Sequence, residues 1–294
     1  MTGQKIYSYM DSIHKLPIVT IVTPSYNQGR YIRDTIESVL SQNYPRIEYI
    51  IVDNKSNDNT LDIVREYGDR FTFVCEKDHG QSDAINKGFR MAKGEIVAWL
   101  NSDDIYEPGC IQRAVLEFQN HPGLGLVYGD GYIIDEKGKK IKRFKAVQEF
   151  CRWDLINVQD YILQPAAFIR KSCLEEAGYL DTSLHWCMDW DLWIRLSKIT
   201  QVKYVSEYFA CSREYSGTKT STGGRKRLLE IKKLMQKYSG RRWPLGYGLY
   251  WAGEIYQRHP ENKAVHLLVW MINQYLLKVI RRKRCSGRNR DDIV

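Results

Sequence analysis

Two adjacent carboxylates follow directly after an apolar stretch of the sequence. Residues 97–100 (Val-Ala-Trp-Leu) have the composition of a buried strand, and residues 101–104 (Asn-Ser-Asp-Asp) come next. In open α/β sheets, ligands bind at the carboxyl ends of such strands. Neighbouring carboxylates repel each other at neutral pH, so the cluster favours a site where a cation joins them to an anionic ligand. The alternative is a solvated turn in which Asp104 caps a helix that begins near Pro108.

A second acidic residue, Asp53, ends another apolar run. A dehydrogenase would bind ribose with such a residue, but it also needs a glycine-rich turn after its first strand. The corresponding turn here is Pro24-Ser25-Tyr26-Asn27, which has no G-x-G-x-x-G pattern, and the chain has no P-loop. These features argue against a nicotinamide enzyme and an ATPase. They indicate a nucleotide site in which a cation neutralises the diphosphate.

The pattern around these residues predicts an α/β fold. Apolar runs and helical periodicities alternate four times up to Asp104, which is the signature of a parallel, doubly wound sheet. The strands are predicted at 18–22, 47–52, 71–75 and before Asp103, and the helices at 32–40, 60–67 and 82–92. Further along we predict a hairpin (126–134 and 140–144), strands at 164–169 and 202–211, and helices at 171–177 and 189–199.

The positive charge is concentrated at the C-terminal end. The chain carries a net charge of +9, and residues 219–294 hold 18 Lys and Arg against 5 Asp and Glu. Residues 264–280 form an amphipathic helical pattern that leads into Arg281-Arg282-Lys283-Arg284. This arrangement is typical of an interfacial helix with a polybasic anchor on an anionic membrane surface. The alternative is a helix packed on the rest of the protein. No nucleic-acid partner is expected, because no recognisable RNA or DNA module is present.

The cysteines indicate a reducing compartment. Seven of them are scattered along the chain without a C-x-x-C pair, which argues against a disulfide framework and a zinc site. The first apolar run, residues 18–22, is too short for a signal peptide. No run reaches the roughly 20 apolar residues of a spanning helix. We therefore expect a cytoplasmic protein, peripheral on the cytoplasmic face of the membrane if the basic end binds lipid.

Five short motifs in the expected strand and helix context identify a family. They are Pro24-Ser25-Tyr26-Asn27, Val52-Asp53-Asn54-x-Ser56-x-Asp58-x-Thr60, Gln81-Ser82-Asp83-Ala84-x-Asn86-x-Gly88, Leu100 to Asp104, and Asp189-Trp190-Asp191-Leu192-Trp193. With them, residues 17–215 resemble the inverting glycosyltransferases of family 2, which have the GT-A fold. The resemblance implies a mostly parallel, doubly wound α/β sheet with a Rossmann-like nucleotide-binding half. We predict a catalytic domain at 1–215 and a basic helical region at 216–294.

The resemblance also implies roles for individual residues. Asp103 would bind a divalent metal, Mn²⁺ or Mg²⁺, on the diphosphate, with Asn101 or Asp104 as further ligands. Asp53 would accept a hydrogen bond from the imide N–H of uracil, and Asp189 would be the catalytic base. The nucleotide or donor sugar would be contacted by Pro24, Tyr26, Asn27, Asp53, Asp83, Asn86, Ser102 and Asp103. The donor or acceptor sugar would be contacted by Asp104, Gln164, Trp186, Asp191 and Arg213.

Two positions depart from the family pattern. Asn101 occupies the first position of the usual D-x-D motif, and Met188 stands where an acidic residue often precedes the catalytic Asp. An asparagine oxygen can still be a metal ligand, and Asp104 supplies a replacement charge, so the metal site is expected to survive.

The function that follows is transfer of a sugar from a nucleotide diphosphate donor, most simply a UDP-sugar, to an acceptor hydroxyl with inversion. A glycan or lipid-linked acceptor is expected, in polysaccharide, glycolipid or cell-surface glycan synthesis. One alternative is a sugar nucleotidyltransferase, which would need a glycine-rich, basic loop after the first strand. Another is a catalytically silent, membrane-associated binding or scaffold protein for sugar nucleotides, an alternative motivated by Asn101 and the basic C-terminal region.

Overall fold

A computed structural model describes residues 16–258 and 261–287 of the chain. The polar segment before residue 16 lies outside this part, as do the side chains of Arg281, Lys283 and Arg284 in the basic run. Within the described residues the chain forms a mixed α/β fold, as the sequence predicts.

The first half of the sheet is parallel. Its strands are β1 (Val19–Ser25), β2 (Ile47–Asp53), β3 (Thr72–Cys75) and β4 (Ile96–Trp99), in the spatial order β3-β2-β1-β4. The connecting helices are α1 (Ile32–Leu40), α2 (Thr60–Arg65) and α3 (Gln81–Met91). This arrangement confirms the predicted doubly wound half. It brings the carboxyl ends of β1, β2 and β4 to one edge of the sheet.

Buried apolar residues hold these layers together. Every residue of β1 and β4 is buried, as expected for central strands covered on both faces. Helix α3 approaches β1 closely at Gly88, where an added Cβ would lie 2.4 Å from a methyl carbon of Val22. Gly88 of the third motif therefore serves the packing of α3 on the sheet.

The second half of the sheet is mixed. It contains β5 (Ile105–Tyr106), α4 (Cys110–Asn120), β6 (Leu124–Ile134), β7 (Lys140–Arg143), α5 (Arg152–Asn157), β8 (Ala167–Arg170), α6 (Lys171–Ala177), α7 (Met188–Ile199) and β9 (Gln201–Arg213). Strand β8 lies antiparallel between β4 and β6, and β9 runs parallel to β6. The short strand β5 is antiparallel to β9, and β7 forms the predicted hairpin with β6. Most of the paired residues in the whole sheet nevertheless belong to parallel pairs.

One predicted strand begins later than expected. Residues 164–166 form a 3₁₀ turn, and β8 starts only at Ala167. Pro165 has no N–H to donate to a strand ladder, which favours the turn at this point.

The C-terminal region is helical, as predicted. Its helices are α8 (Lys219–Thr222), α9 (Gly224–Ser239), α10 (Tyr247–Arg258) and α11 (Lys263–Gly287). Helix α9 buries Ile231, Leu234 and Met235 in the same core cluster as Trp99 and Trp193. The residues on both sides of the predicted boundary after residue 215 therefore share a core. The boundary itself stays a prediction.

Candidate active site

A cleft of about 740 Å³ opens at the carboxyl ends of the central strands. Its lining includes residues within the segments 24–28, 101–104, 160–165, 185–190 and 212–221, together with Arg227 and Tyr250. The cleft therefore combines the edge of the sheet where β1 and β4 end with the start of α7 and with the C-terminal helices.

The loop after β1 forms one end of the cleft. Pro24 and Tyr26 line it, and the Tyr26 ring is more than half exposed. Asn27 has a positive φ of 52° and connects two loops instead. Its N–H donates to Ser56 Oγ at 2.8 Å, and its Oδ1 accepts from the backbone N–H of Asn57 at 2.9 Å. The structure thus brings Pro24 and Tyr26 to the cleft and gives Asn27 a supporting position outside the lining.

Asp53 lies behind the cleft wall. Its side chain is fully buried, where Oδ1 accepts from the Ser56 N–H at 2.7 Å and Oδ2 accepts from Ser56 Oγ at 2.6 Å. The neighbouring Asn54 lines the cleft. In this conformation the Asp53 carboxylate stabilises the loop after β2, and contact with a uracil imide stays a prediction.

Helix α3 contributes residues other than those predicted. Gln81 lines the cleft, whereas Asp83 accepts from the His79 N–H at 3.0 Å outside the lining. Asn86 is buried and exchanges two hydrogen bonds with the backbone of Leu180, at 2.9 and 3.0 Å. In this conformation the Asn86 amide joins α3 to the loop after α6, and its contact with a nucleotide stays a prediction.

Asn101 stands at the centre of an amide network. Its Oδ1 accepts from Gln81 Nε2 at 2.7 Å, and its Nδ2 donates to Gln164 Oε1 at 2.9 Å and to Asp104 Oδ2 at 3.1 Å. Gln164 in turn donates to the Trp99 carbonyl at 2.8 Å. The network fixes the loop after β4. Ser102 is buried in the same part of the lining.

The two predicted metal-site carboxylates have different surroundings. Asp104 is buried, and its Oδ1 accepts from the Arg213 N–H at 2.9 Å. Burial and the neighbouring charge of Asp103 raise the pKa of Asp104 to about 8. Asp103 is half-buried, and its Oδ2 accepts from the Tyr215 hydroxyl at 3.1 Å. Burial raises the pKa of Asp103 as well, although the Tyr215 hydroxyl partly offsets it.

The donor set fits a cation that is shared with a ligand. No group of three or more His, Cys, Asp or Glu side chains capable of holding a metal ion occurs in the described part of the chain. Two adjacent carboxylates with raised pKa values and an amide oxygen are nevertheless the oxygen donors that Mg²⁺ and Mn²⁺ prefer. A site with few protein ligands suits a metal whose remaining ligands come from a diphosphate and water.

Arg213 lines the cleft and connects several loops by hydrogen bonds. Its guanidinium donates to the carbonyls of Asp103, Asp135 and Glu136 at 2.8 to 3.1 Å and to Asp34 Oδ2 at 2.9 Å. The side chain is buried and packs over the Tyr31 ring. These contacts support the loop after β4, and the contact of Arg213 with a sugar stays a prediction.

Asp189 and Asp191 lie on different sides of α7. Asp189 lines the cleft, half-buried, and its Oδ1 accepts from the Trp190 N–H at 2.8 Å. Asp191 points into the protein and is fully buried. It accepts hydrogen bonds from Arg195 Nε at 2.7 Å, Lys237 Nζ at 2.9 Å and Tyr238 OH at 2.6 Å. Asp191 thus forms an internal ion pair with Arg195 and Lys237, and its contact with a sugar stays a prediction.

Asp160 is a carboxylate of the cleft that was not predicted. Asp160, in the loop after α5, lines the cleft together with Asp189. Burial and the charge of Asp189 raise the pKa of Asp160, and burial raises the pKa of Asp189. Arg227 lies near both carboxylates and opposes these shifts. Asp160 is an isolated acidic residue in the sequence, so no local motif marks it.

The C-terminal region adds further cleft residues that sequence reasoning missed. Lys219 Nζ donates to Gln81 Oε1 at 2.7 Å, and burial lowers the pKa of this lysine. The predicted Trp186 lines the cleft, and its indole N–H donates to the Lys219 carbonyl at 3.0 Å. Tyr250 reaches the cleft from α10. Two residues after the last strand, Lys219 and Tyr250, thus add a cation and an aromatic side chain to the cleft.

Sequence comparisons agree with this arrangement. The profile described as glycosyl transferase family 2 matches residues 20–175, slightly more than half of the chain. An uncharacterized glycosyltransferase of Rickettsia typhi is 29% identical over 212 residues, covering 70% of this chain and 67% of that protein. The chondroitin synthase of Escherichia coli is 27% identical over 213 residues, covering 71% of this chain but only 31% of the synthase.

Solved structures show the same fold. S. aureus TarS (residues 1–349), in complex with UDP-GlcNAc, superposes with a TM-score of 0.61 at 15% identity, covering 84% of this chain and 74% of that one. The mannosyltransferase PcManGT from Pyrobaculum calidifontis, in complex with GDP-Man and Mn²⁺, gives a TM-score of 0.55 at 14% identity, covering 99% and 84%. The cleft, the profile match and these GT-A neighbours agree, and the chain belongs to glycosyltransferase family 2.

Proposed function

We propose that this protein is an inverting glycosyltransferase that moves a sugar from a UDP-sugar to an acceptor hydroxyl. The observation that carries the proposal is the composition of the cleft. One continuous cavity joins Tyr26 after β1, Asp103 after β4 and Asp189 at the start of α7. Tyr26 can contact a nucleoside, Asp103 can act at a diphosphate, and Asp189 can act on an attacking hydroxyl.

The donor end supports a nucleoside diphosphate. The exposed ring of Tyr26 offers a stacking surface for a base, and Asn54 offers an amide beside it. Asp103 would hold Mn²⁺ or Mg²⁺ on the diphosphate, and Asn101 and Asp104 would support that site. When bound, such a metal neutralises the charge that develops on the leaving diphosphate. Uridine is proposed because the TarS complexes contain UDP or UDP-GlcNAc.

Asp189 supplies the base for the chemical step. The acceptor oxygen forms a bond to the anomeric carbon while the bond from that carbon to the phosphate oxygen breaks, and the acceptor proton passes to Asp189. A single displacement of this kind inverts the anomeric configuration. A raised pKa suits this role, because a base works best when its pKa lies closer to the operating pH. The Trp186 ring offers a platform for the acceptor sugar.

The acceptor and the setting are also part of the proposal. A glycan or lipid-linked hydroxyl fits a cleft that Trp186 lines, in polysaccharide, glycolipid or cell-surface glycan synthesis. A cytoplasmic location is supported by the six cysteines whose side chains the structure describes, because these six are free thiols.

A donor panel tests the proposal. Purified protein would be incubated with UDP-, GDP- and dTDP-sugars, with and without Mn²⁺, and release of nucleoside diphosphate would be measured. We expect metal-dependent UDP release, and NMR of the product should show the anomeric configuration opposite to that of the donor. Release of pyrophosphate with nucleoside triphosphates would indicate a nucleotidyltransferase instead. Tight donor binding without turnover for any donor or acceptor would indicate a silent binding protein.

A further inference from the structure

Large apolar side chains are exposed to solvent on the outer surface of α11. Five of its side chains are between 55% and 68% exposed, namely Leu267, Leu268, Trp270, Met271 and Tyr275. On the adjoining α10, the Trp251 ring is also exposed. We call these six residues the tail patch. Soluble proteins rarely expose so many large apolar side chains together, so the tail patch marks an interaction surface.

The inner side of the same helix is mostly apolar and also holds two polar residues. Val269 and Ile280 are its buried apolar side chains. His266 is half-buried and stacks on Tyr256, with the ring centroids 4.1 Å apart. Asn273 is half-buried, and its Oδ1 is buried without a hydrogen-bond partner among the described residues. A surface helix of a protein in water normally has apolar residues on its inner side only. Helix α11 is apolar on its inner side and over much of its outer side, so its outer face suits a partner less polar than water.

Positive charge borders the tail patch. Lys278 follows Tyr275 by three residues, and Arg282 follows Lys278 by four. Both are exposed, so they continue the same face of the helix. The sequence places Arg281, Lys283 and Arg284 in the same stretch. An apolar face with Trp and Tyr that ends in a cluster of cations matches the layers of an anionic bilayer surface, where amphipathic rings lie at headgroup depth.

These observations favour lipid over a second copy of the chain. Residues 219–294 hold 18 Lys and Arg against 5 Asp and Glu, so two such regions would repel each other at an interface. Among the helices of the described residues, none combines the length and apolar composition needed to cross a bilayer. We propose that the tail patch docks the protein on an anionic membrane, with α11 lying in the plane of the interface.

The docking surface adjoins the cleft through α10. Tyr250 of this helix lines the cleft, and the next residue, Trp251, belongs to the tail patch. A membrane-bound acceptor would therefore approach the cleft from a neighbouring surface. This last step rests on the proposed function, whereas membrane docking itself does not.

Vesicle sedimentation with the full chain tests the docking. The vesicles contain phosphatidylcholine with or without phosphatidylglycerol, and no substrate is present. Wild-type protein should sediment with the anionic vesicles only. The variant Leu268→Glu/Trp270→Glu should bind them at least about tenfold more weakly, because it places charge in the contacting face. The control Leu116→Glu, which alters an exposed leucine on α4, should bind like the wild type.

Two results would overturn the proposal. One is equal vesicle binding by the wild type and the double variant. The other is a wild-type dimer in sedimentation velocity that the double variant converts to monomer, together with no vesicle binding, which would assign the tail patch to a second copy. Donor turnover measured in detergent-free solution is independent of both results, so a failure of the proposed function would be recognised separately.

Discussion

The carboxylate of Glu230, on α9, accepts a hydrogen bond from the backbone N–H of Trp186 at 2.6 Å. The same carboxylate accepts from the N–H groups of Cys187 at 2.7 Å and His185 at 3.0 Å. These three N–H groups lie at the start of α7, where unpaired backbone donors and the helix dipole favour an anion. A residue of the C-terminal region thus fixes the loop that carries Trp186 and, three residues further, Asp189.

The first prediction concerns this contact. In Glu230→Gln the charge is lost and an NH₂ group can face the N–H donors, so the loop should lose its fixed position. We expect kcat to fall roughly ten- to a hundredfold, since small misplacements of catalytic groups have costs of this order. Affinity for UDP should stay close to that of the wild type. Glu176→Gln, at an exposed position of α6, is the control and should leave kcat unchanged. An equal effect on UDP affinity and kcat would instead indicate general loss of structure.

The second prediction tests Asp189 as the base. Asp189→Asn keeps the size of the side chain but cannot accept the acceptor proton. Transfer should fall by at least about a hundredfold, which is the usual contribution of general base catalysis. Binding of UDP, measured by calorimetry, should be retained. Near-normal turnover in the folded variant would remove Asp189 from the mechanism.

The third prediction concerns the pH dependence of transfer. Asp160 and Asp189 share the cleft, and repulsion between their charges raises the pKa of the pair. Asp160→Asn removes one charge, so Asp189 should ionise at lower pH and the acid limb of the kcat profile should shift to lower pH. Arg227→Gln should shift that limb to higher pH, because Arg227 favours the ionised carboxylates. Identical acid limbs in all three proteins would show that Asp160 does not act on Asp189.

The sequence predicts the architecture because the buried strands are short apolar runs that end in polar residues. Since β1 and β4 are adjacent and parallel, their carboxyl ends place Tyr26 and Asp103 at one edge of the sheet, as the alternation of strands and helices predicts. The start of α7 is predicted in the same way, and with it Asp189. These predicted residues line the cleft, and the position of each follows from a single local pattern.

The remaining cleft residues depend on contacts between distant parts of the chain. Lys219 meets Gln81 across 138 positions, and Arg213 meets Asp103 across 110. No periodicity or spacing encodes such pairs. Asn86 is the opposite case. It belongs to a motif that predicts nucleotide binding, but in the structure its side chain donates a hydrogen bond to the Leu180 carbonyl. Short motifs therefore contain both residues that line the cleft and residues that support the loops, and only the contacts in the structure distinguish the two.

The fourth prediction concerns the metal. Asp103 has the more accessible carboxylate of the pair, whereas both oxygens of Asp104 accept hydrogen bonds, from Arg213 and Asn101. Asp103→Asn should weaken the Mn²⁺-dependent part of UDP binding by at least about tenfold, a loss seen even when outer partners of metal ligands are removed. Asp104→Asn should retain most of the Mn²⁺-dependent part of UDP binding. Calorimetric titration of UDP with and without Mn²⁺ measures both. The reverse order of effects would assign the metal to Asp104.

The fifth prediction concerns Asp191 and acid stability. Burial alone would raise the pKa of Asp191, but hydrogen bonds from Tyr238, Lys237 and Arg195 outweigh it, so the pKa lies below its ordinary value of 3.8. The unfolded chain therefore binds more protons than the folded protein in the acid range. The stabilisation by the carboxylate is complete above the ordinary pKa and is lost as the pH falls through the lowered one.

Asp191→Asn should consequently lower the free energy of unfolding at neutral pH by about 1.5–3 kcal/mol, the range for hydrogen bonds to charged groups. The difference from the wild type should shrink as the pH falls, because the wild type then loses the same charge. Urea unfolding at a series of pH values measures this, with the exposed Asp62→Asn as the control, where little change is expected. A difference in stability that is independent of pH would show that packing, and not the ionised carboxylate, links α7 to α9.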